Sequence, residues 1–267
     1  MKLVSIIIPF KNPGKYFKPC LESISNQSYK NIEVLMIDDH SNYDDAEVAR
    51  IAQMKDKRFQ FYRSNGLGII SALQTGLDLA KGEFISRMDA DDLMTKDKIE
   101  LMRSALLKSN QKSVCTGLVS YFASEKRIQE GFVKYENWLN KLTTEESNFT
   151  QIYKECTIPS SCWMARKSDI ENIGGFKCLT YPEDYDLAFK MYYSKFKIIS
   201  VKKVLHHWRD HPNRISRTSE TYKMENFTPL KLKYLLDYEI KHEHVILWGA
   251  GKKAKRIAKQ LLEKKVH

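Results

Sequence analysis

Short apolar runs alternate with helical stretches through the N-terminal third of the chain, and this alternation constrains the fold most. Residues 5–9, 32–37, 59–62 and 84–89 read as strands, rich in Ile, Val, Leu and Phe. Between them, residues 16–25, 44–54 and 70–80 carry apolar side chains at helical spacing: Phe17, Leu21 and Ile24, then Leu73, Leu77 and Ala80. Lys11-Asn12-Pro13-Gly14 reads as a turn. Strands alternating with helices predict a mainly parallel sheet whose carboxyl edge binds a ligand.

Two of these strands end in acids. One runs into Asp38-Asp39, the other into Asp89-Ala90-Asp91-Asp92. Crowded carboxylates repel one another unless a cation lies among them, and a divalent ion with oxygen ligands is the usual remedy. Each cluster taken alone reads equally as a polar turn, with Asp38-Asp39 capping the helix before Ala46. Arg87, just before the second cluster, is placed to pair with it.

The rest of the chain is less regular. Residues 95–107 form an amphipathic pattern, with Ile99, Met102, Leu106 and Leu107 as its stripe. Residues 113–121 read as a strand. Residues 124–155 read as a charged, irregular insertion, with Trp138, Leu139 and Leu142 turned inward. A turn and strand follow at 159–164, and a turn at Ile173-Gly174-Gly175-Phe176. Tyr181-Pro182-Glu183-Asp184-Tyr185-Asp186-Leu187 opens a helix, with Leu187, Ala188 and Met191 inward. Three acids in its first turn suit the positive helix end, which accounts for them without any chemistry. Residues 198–201 and 204–208 read as late strands. The His-rich run from His206 to Ser216 fits no regular zinc spacing.

Composition narrows the partners. The chain has 267 residues, 42% hydrophobic and 29% charged, enough for one large or two smaller α/β domains, and its net charge is +11. A basic surface attracts nucleic acid, anionic lipid or phosphorylated ligands. The sequence carries no zinc-finger, RNP or helix-turn-helix signature, so the expectation is a nucleotide or a membrane surface, with no nucleic acid partner. No run approaches the roughly 18 apolar residues of a membrane span, and the opening residues read as a first strand, not a leader. The odd, scattered cysteines (Cys20, Cys115, Cys156, Cys162, Cys178) suit free thiols in a reducing cytoplasm.

Four motifs together carry a resemblance. Ser5-Ile6-Ile7-Ile8-Pro9-Phe10-Lys11-Asn12, Met36-Ile37-Asp38-Asp39-His40-Ser41, the stretch from Ser71 to Glu83, and Arg87-Met88-Asp89-Ala90-Asp91-Asp92 follow in order. The chain over roughly residues 3–215 resembles the family 2 glycosyltransferases of GT-A fold, in the branch that builds bacterial surface polysaccharides such as capsule and O-antigen. The resemblance implies a mixed, mainly parallel sheet flanked by helices, with nucleotide half first and acceptor half second. It implies an inverting transfer of a hexosyl or N-acetylhexosaminyl group from a nucleotide-sugar, UDP-linked, to a hydroxyl of a glycan or lipid-linked acceptor.

Carried over position by position, Pro9, Lys11, Asp39, Arg87 and Asp89 match the nucleotide pocket. Asp91, with Asp89 and His211, matches the site of a Mn²⁺ or Mg²⁺ on the donor diphosphate. Asp184 matches the general base, supported by Glu183. Arg209 is placed to offset phosphate charge in a closing loop that Ser216 follows. Gln74 stands where the family often has Asn, and is expected to alter helix packing or a donor contact. The alternatives are a nucleotidyltransferase, which Pro9-Phe10-Lys11-Asn12 does not suit as a phosphate loop, or an inactive nucleotide-binding scaffold.

The expected organisation is a GT-A domain over 1–216, a helical linker over 217–241 and a βα unit over 242–267. That last unit reads as a strand from His244 to Trp248, then Gly249-Ala250-Gly251, then a basic helix from Lys252 to Lys265 with Ile257, Leu261 and Leu262 on one side. It lacks a second strand and a ribose-binding acid, so it reads as an incomplete Rossmann-like unit. It belongs either to a longer protein or to a surface on which it packs. Its basic helix suits anionic lipid at the inner membrane face.

Overall fold

The structure is a computed structural model and describes residues 2–109, 111–123, 128–177, 181–212, 214, 224–240 and 246–263. One compact unit comprises Met1–Leu179 and Glu183–Pro212, and a second comprises Thr180–Pro182 and Asn213–His267.

The first unit is built on an eight-stranded sheet. Its strands are β1 (Val4–Phe10), β2 (Ile32–Asp38), β3 (Phe59–Arg63), β4 (Phe84–Arg87), β5 (Leu93–Met94), β6 (Ser113–Ala123), β7 (Trp163–Arg166) and β8 (Lys197–Asp210). Their order is β3-β2-β1-β4-β7-β6-β8-β5. β3, β2, β1 and β4 run parallel, as do β6 and β8, while β7 lies antiparallel between β4 and β6 and β5 antiparallel on β8.

β1 and β2 are buried on both faces, which their unbroken Ile, Val and Leu runs require. On one face Ile6, Ile8, Val34 and Met36 join α1 (Phe17–Ser25) and α4 (Lys98–Leu107) in the core. On the other, α3 (Ile69–Leu79) comes so close that a Cβ on Gly76 would lie 2.4 Å from Ile7 Cγ2. α2 (Tyr43–Lys55) is capped by Asn42, whose Oδ1 accepts from Asp45 N at 3.1 Å. The cap expected of Asp38-Asp39 therefore falls to Asn42, and those acids are free for other work.

The second half departs from the sequence reading in three places. The supposed irregular insertion contains α5 (Glu130–Thr144), whose buried side is Leu139, Leu142 and Thr143, with Trp138 only partly covered. The two late strands are one, β8, running through Lys202-Lys203. Its pairing with β6 slips at Gly117 and Leu118, where a Cβ on Gly117 would strike Leu205 Cδ1 at 2.5 Å. The helix expected from Thr95 begins at Lys98, and Leu107 is exposed at its end. Two short helices, α6 (Lys167–Asn172) and α7 (Glu183–Tyr193), follow β7, and Leu187, Ala188 and Met191 of α7 are buried as expected.

In the second unit, Met224–Tyr234 is helical, Leu235–Glu239 forms a π-turn and Lys252–Glu263 is helical. Ile246–Trp248 form no strand, and Ile246 and Trp248 are exposed. An isolated strand has no ladder partner to hold it extended. In the terminal helix Leu261 is buried and Leu262 points out. Cys178, Ser216, His244, Val245, Lys264, Lys265 and the linker residues 217–223 and 241 lie outside the described residues.

Candidate active site

The register brings the acidic turns together. Phe10 pairs with Asp38 and Ile7 with Arg87, so β1, β2 and β4 end side by side. Met88 N donates to Ile7 O at 2.9 Å, so Pro9, two residues on, faces past the end of β4. A proline fits there because no ladder bond is lost on that side.

At the β2 end the two acids differ. Asp38 is buried, accepts from Ser41 N at 2.7 Å and lies 3.5 Å from Arg63 Nη2. It shapes the turn. Asp39 accepts from Gly68 N at 2.8 Å, and its other oxygen lies 3.7 Å from the half-exposed Lys11 Nζ. Gly68 has φ +87°, a backbone conformation that only glycine adopts freely, and this turns its N–H toward Asp39. Pro9, Lys11 and Asp39 thus stand at one corner of the carboxyl edge.

The β4 end divides its acids in the same way. Asp89 Oδ1 accepts from Arg87 Nε at 2.8 Å, and Ser160 Oγ donates to Asp89 Oδ2 at 3.2 Å. Asp91 Oδ2 lies 2.9 Å from His211 Nε2, although 120 residues separate them. Tyr16 packs against the His211 ring at a 40° tilt, with centroids 4.6 Å apart. Asp92 is buried and turned away from the other two. Arg209 sends Nε to Asp91 O at 2.7 Å, with its guanidinium between Tyr16 and Phe122. Arg209 therefore braces the backbone of the acidic turn.

Arg87 links the two acid sets. Buried at 6% exposure, it also places Nη1 3.0 Å from Glu183 Oε1. Asp184 is adjacent on α7, partly exposed, and accepts from Tyr185 N at 2.8 Å. Its packed surroundings and the Glu183 charge push its carboxyl up to about 7, against the opposing pull of Arg87. Arg87, Glu183, Asp184 and Ser160 line one pocket with Leu73, Ile158, Trp163 and Phe176. A carboxyl poised near neutrality in a pocket suits proton abstraction.

The donor set fits a divalent cation. Asp91 and His211 offer one hard oxygen and one imidazole nitrogen, and no group of three or more His, Cys, Asp or Glu side chains converges among the described residues. Two protein ligands, completed by water and phosphate oxygens, are the mode by which such ions bind nucleotides.

Sequence reasoning did not single out Ser160 or Lys98. Gln74, singled out as a departure, accepts from Phe176 N at 3.0 Å and donates to Asp78 at 2.6 Å, so it ties α3 to the turn before α7.

Comparison with known proteins identifies the family and the fold. Residues 5–174 match the profile of "Glycosyl transferase family 2". The glycosyltransferase GlyG of Streptococcus pneumoniae is 31% identical over 125 residues, 46% of this chain and 42% of that protein. An uncharacterised glycosyltransferase of Rickettsia typhi is 34% identical over 192 residues, covering 70% and 58%. The chain thus spans about half the length of these curated relatives. TarS from S. aureus, solved with UDP-GlcNAc, superposes with TM-score 0.65 at 16% identity, over 90% of this chain and 68% of that one. The mannosyltransferase PcManGT of Pyrobaculum calidifontis, solved with GDP-Man and Mn²⁺, gives 0.61 at 18% identity, over 87% and 61%. The fold is that of the GT-A-like glycosyltransferases, and the chain belongs to glycosyl transferase family 2.

Proposed function

We propose that this protein transfers a hexosyl or N-acetylhexosaminyl group from a nucleotide-sugar, UDP-linked, to a hydroxyl of a glycan or lipid-linked acceptor in polysaccharide synthesis. The observation that carries the reading is the pairing of two acid sets at one sheet edge. Asp91 with His211 stands at one end, and Asp184, raised to about 7, at the other.

In this reading Pro9, Lys11 and Asp39 receive the nucleoside. Asp91 and His211, with Asp89 beside them, would hold Mn²⁺ or Mg²⁺, which when bound would supply positive charge for a departing diphosphate. His211 would have to exchange its contact with Asp91 for the ion if both are to act as ligands. Arg87 is spent on Asp89 and Glu183, so its service to the nucleotide is to hold Asp89 in place. The acceptor hydroxyl attacks the anomeric carbon opposite the leaving diphosphate, inverting it. Asp184 takes the hydroxyl proton as the bond forms. Glu183 keeps Asp184 basic by its charge.

Among the described residues no helix is long and apolar enough to cross a membrane. Cys20, Cys115, Cys156 and Cys162 are free and buried, as a reducing cytoplasm favours. The exposed lysines of Lys252–Glu263 and the neighbouring exposed Trp248 suit a peripheral contact with anionic lipid at the cytoplasmic face, where lipid-linked acceptors reside.

Calorimetric titration of UDP, GDP, dTDP and CDP, each with and without MnCl₂, tests the reading. One diphosphate, expected to be UDP, binds in a Mn²⁺-dependent way, and the dependence disappears in Asp91→Asn. Absence of binding by all four would favour an inactive scaffold.

A further inference from the structure

The turn after β4 has three acids, and the third does not face the cleft. Asp92 is fully buried, and its Oδ1 accepts from Arg209 N at 2.8 Å. Its Oδ2 lies 3.0 Å from His206 Nε2. His206 Nδ1 in turn lies 3.2 Å from Lys98 Nζ, and Lys98 also donates to Ser161 O at 2.5 Å. All three residues have 0% exposure.

The chemistry fixes the direction of this chain. With Lys98 as an ammonium, which has only donors, Nδ1 of His206 accepts and Nε2 carries the ring proton toward Asp92. The chain joins four elements: α4 through Lys98, β8 through His206, the acidic turn through Asp92 and the segment before β7 through Ser161. Its two ends bear on the site. Ser161 adjoins Ser160, which donates to Asp89, and Asp92 adjoins Asp91.

Stability alone is a poor reason for such an arrangement. Buried ionisable groups cost desolvation, and apolar residues of similar volume often serve the fold as well or better. Outer partners that orient ligating carboxylates are a common reason to retain them.

We propose that Lys98, His206 and Asp92 are positioning residues that set Asp89 and Asp91 for binding a nucleoside diphosphate with its divalent cation. The inference rests on the donor-site reading above. None of the three touches the donor. They hold the turn so that the Asp91 carboxylate is already aimed when the donor arrives.

Four variants test it, with UDP titrated in MnCl₂ by calorimetry and uridine followed by saturation-transfer NMR. Uridine reports the corner of Lys11 and Asp39, at the end of β2, and not the acidic turn that follows β4. His206→Leu removes both bonds of the ring, and Asp92→Asn and Lys98→Met each break one end of the chain. Each is expected to weaken UDP binding in MnCl₂ by about 10- to 100-fold while leaving uridine binding and cooperative melting intact. His206→Gln is expected to restore near wild-type affinity, because its amide oxygen accepts from Lys98 and its NH₂ donates to Asp92.

Wild-type affinity in all three disruptive variants would overturn the proposal. So would equal loss of uridine and UDP, which would mark a purely structural role. If His206→Leu fails to fold, Asp92→Asn and Lys98→Met carry the same comparison. A wild-type protein that binds uridine but whose UDP affinity ignores MnCl₂ would instead defeat the donor-site reading, and the inference with it.

Discussion

The two ends of the cleft treat their acids in opposite ways. At the nucleotide end Asp39 has a backbone N–H and the Lys11 ammonium near it. At the proposed acceptor end Asp184 sits beside Glu183, and Arg87 is bonded to Glu183 and Asp89. One carboxylate faces a backbone donor and an ammonium, which suits a ligand-binding acceptor of hydrogen bonds. The other is destabilised as an anion, which suits a base that must take a proton at neutral pH. Both arise from the same residue type, so the difference lies in the neighbours.

The largest expected effect falls on the unstabilised acid. Asp184→Asn should lower kcat by about 10²- to 10⁴-fold, measured as release of the nucleoside diphosphate, with little change in donor affinity. A wild-type kcat would remove Asp184 from the base role.

At the other end, Asp39→Asn should weaken nucleotide binding by about 1.5–3 kcal/mol, the usual worth of a charged hydrogen bond. Lys11→Met should cost less, about 1 kcal/mol or under, because the Lys11 ammonium is half exposed. Calorimetry on the two variants ranks them, and a larger loss for Lys11→Met would break the contrast.

The pH profile sharpens it further. A base with its carboxyl near 7 is protonated below that pH, so kcat should fall as pH drops through about 7 and level off above. Glu183→Gln removes the like charge and should move this limb to lower pH. Arg87→Met removes the opposing cation and should move it higher. A limb at ordinary carboxylate pH in the wild type would contradict the assignment.

A change away from both ends tests the scaffold beneath them. Gly82 N donates to Ser5 Oγ and Glu33 Oε1, and a Cβ there would lie 2.6 Å from Ser5 N. Gly82→Ala should cost about 1–3 kcal/mol of stability, read as a lower melting temperature, with the pH limb unmoved.

The nucleotide half was the more legible in sequence, for a physical reason. Parallel strands buried on both faces need unbroken apolar runs, and Ile6-Ile7-Ile8 and Val34-Leu35-Met36-Ile37 show them directly. The acceptor half hides its pattern. In α5 the stripe of Tyr135, Leu139 and Leu142 is interleaved with charges, and Lys202-Lys203 interrupts β8 without ending it. Asp184 was legible through its motif. The nearness of His211 to Asp91 was legible only through the resemblance, because only the sheet brings residues 120 apart together. Lys98 reads as an ordinary surface lysine, and nothing in its neighbours announces that it is fully buried.

The most direct test measures donor binding and turnover side by side in Asp91→Asn and Asp184→Asn. The account predicts a crossed result: Asp91→Asn loses Mn²⁺-dependent diphosphate binding, while Asp184→Asn binds the donor normally and fails to transfer. Equal loss of binding in both, or normal turnover in either, would contradict the division of the cleft into a donor-holding end and a proton-accepting end.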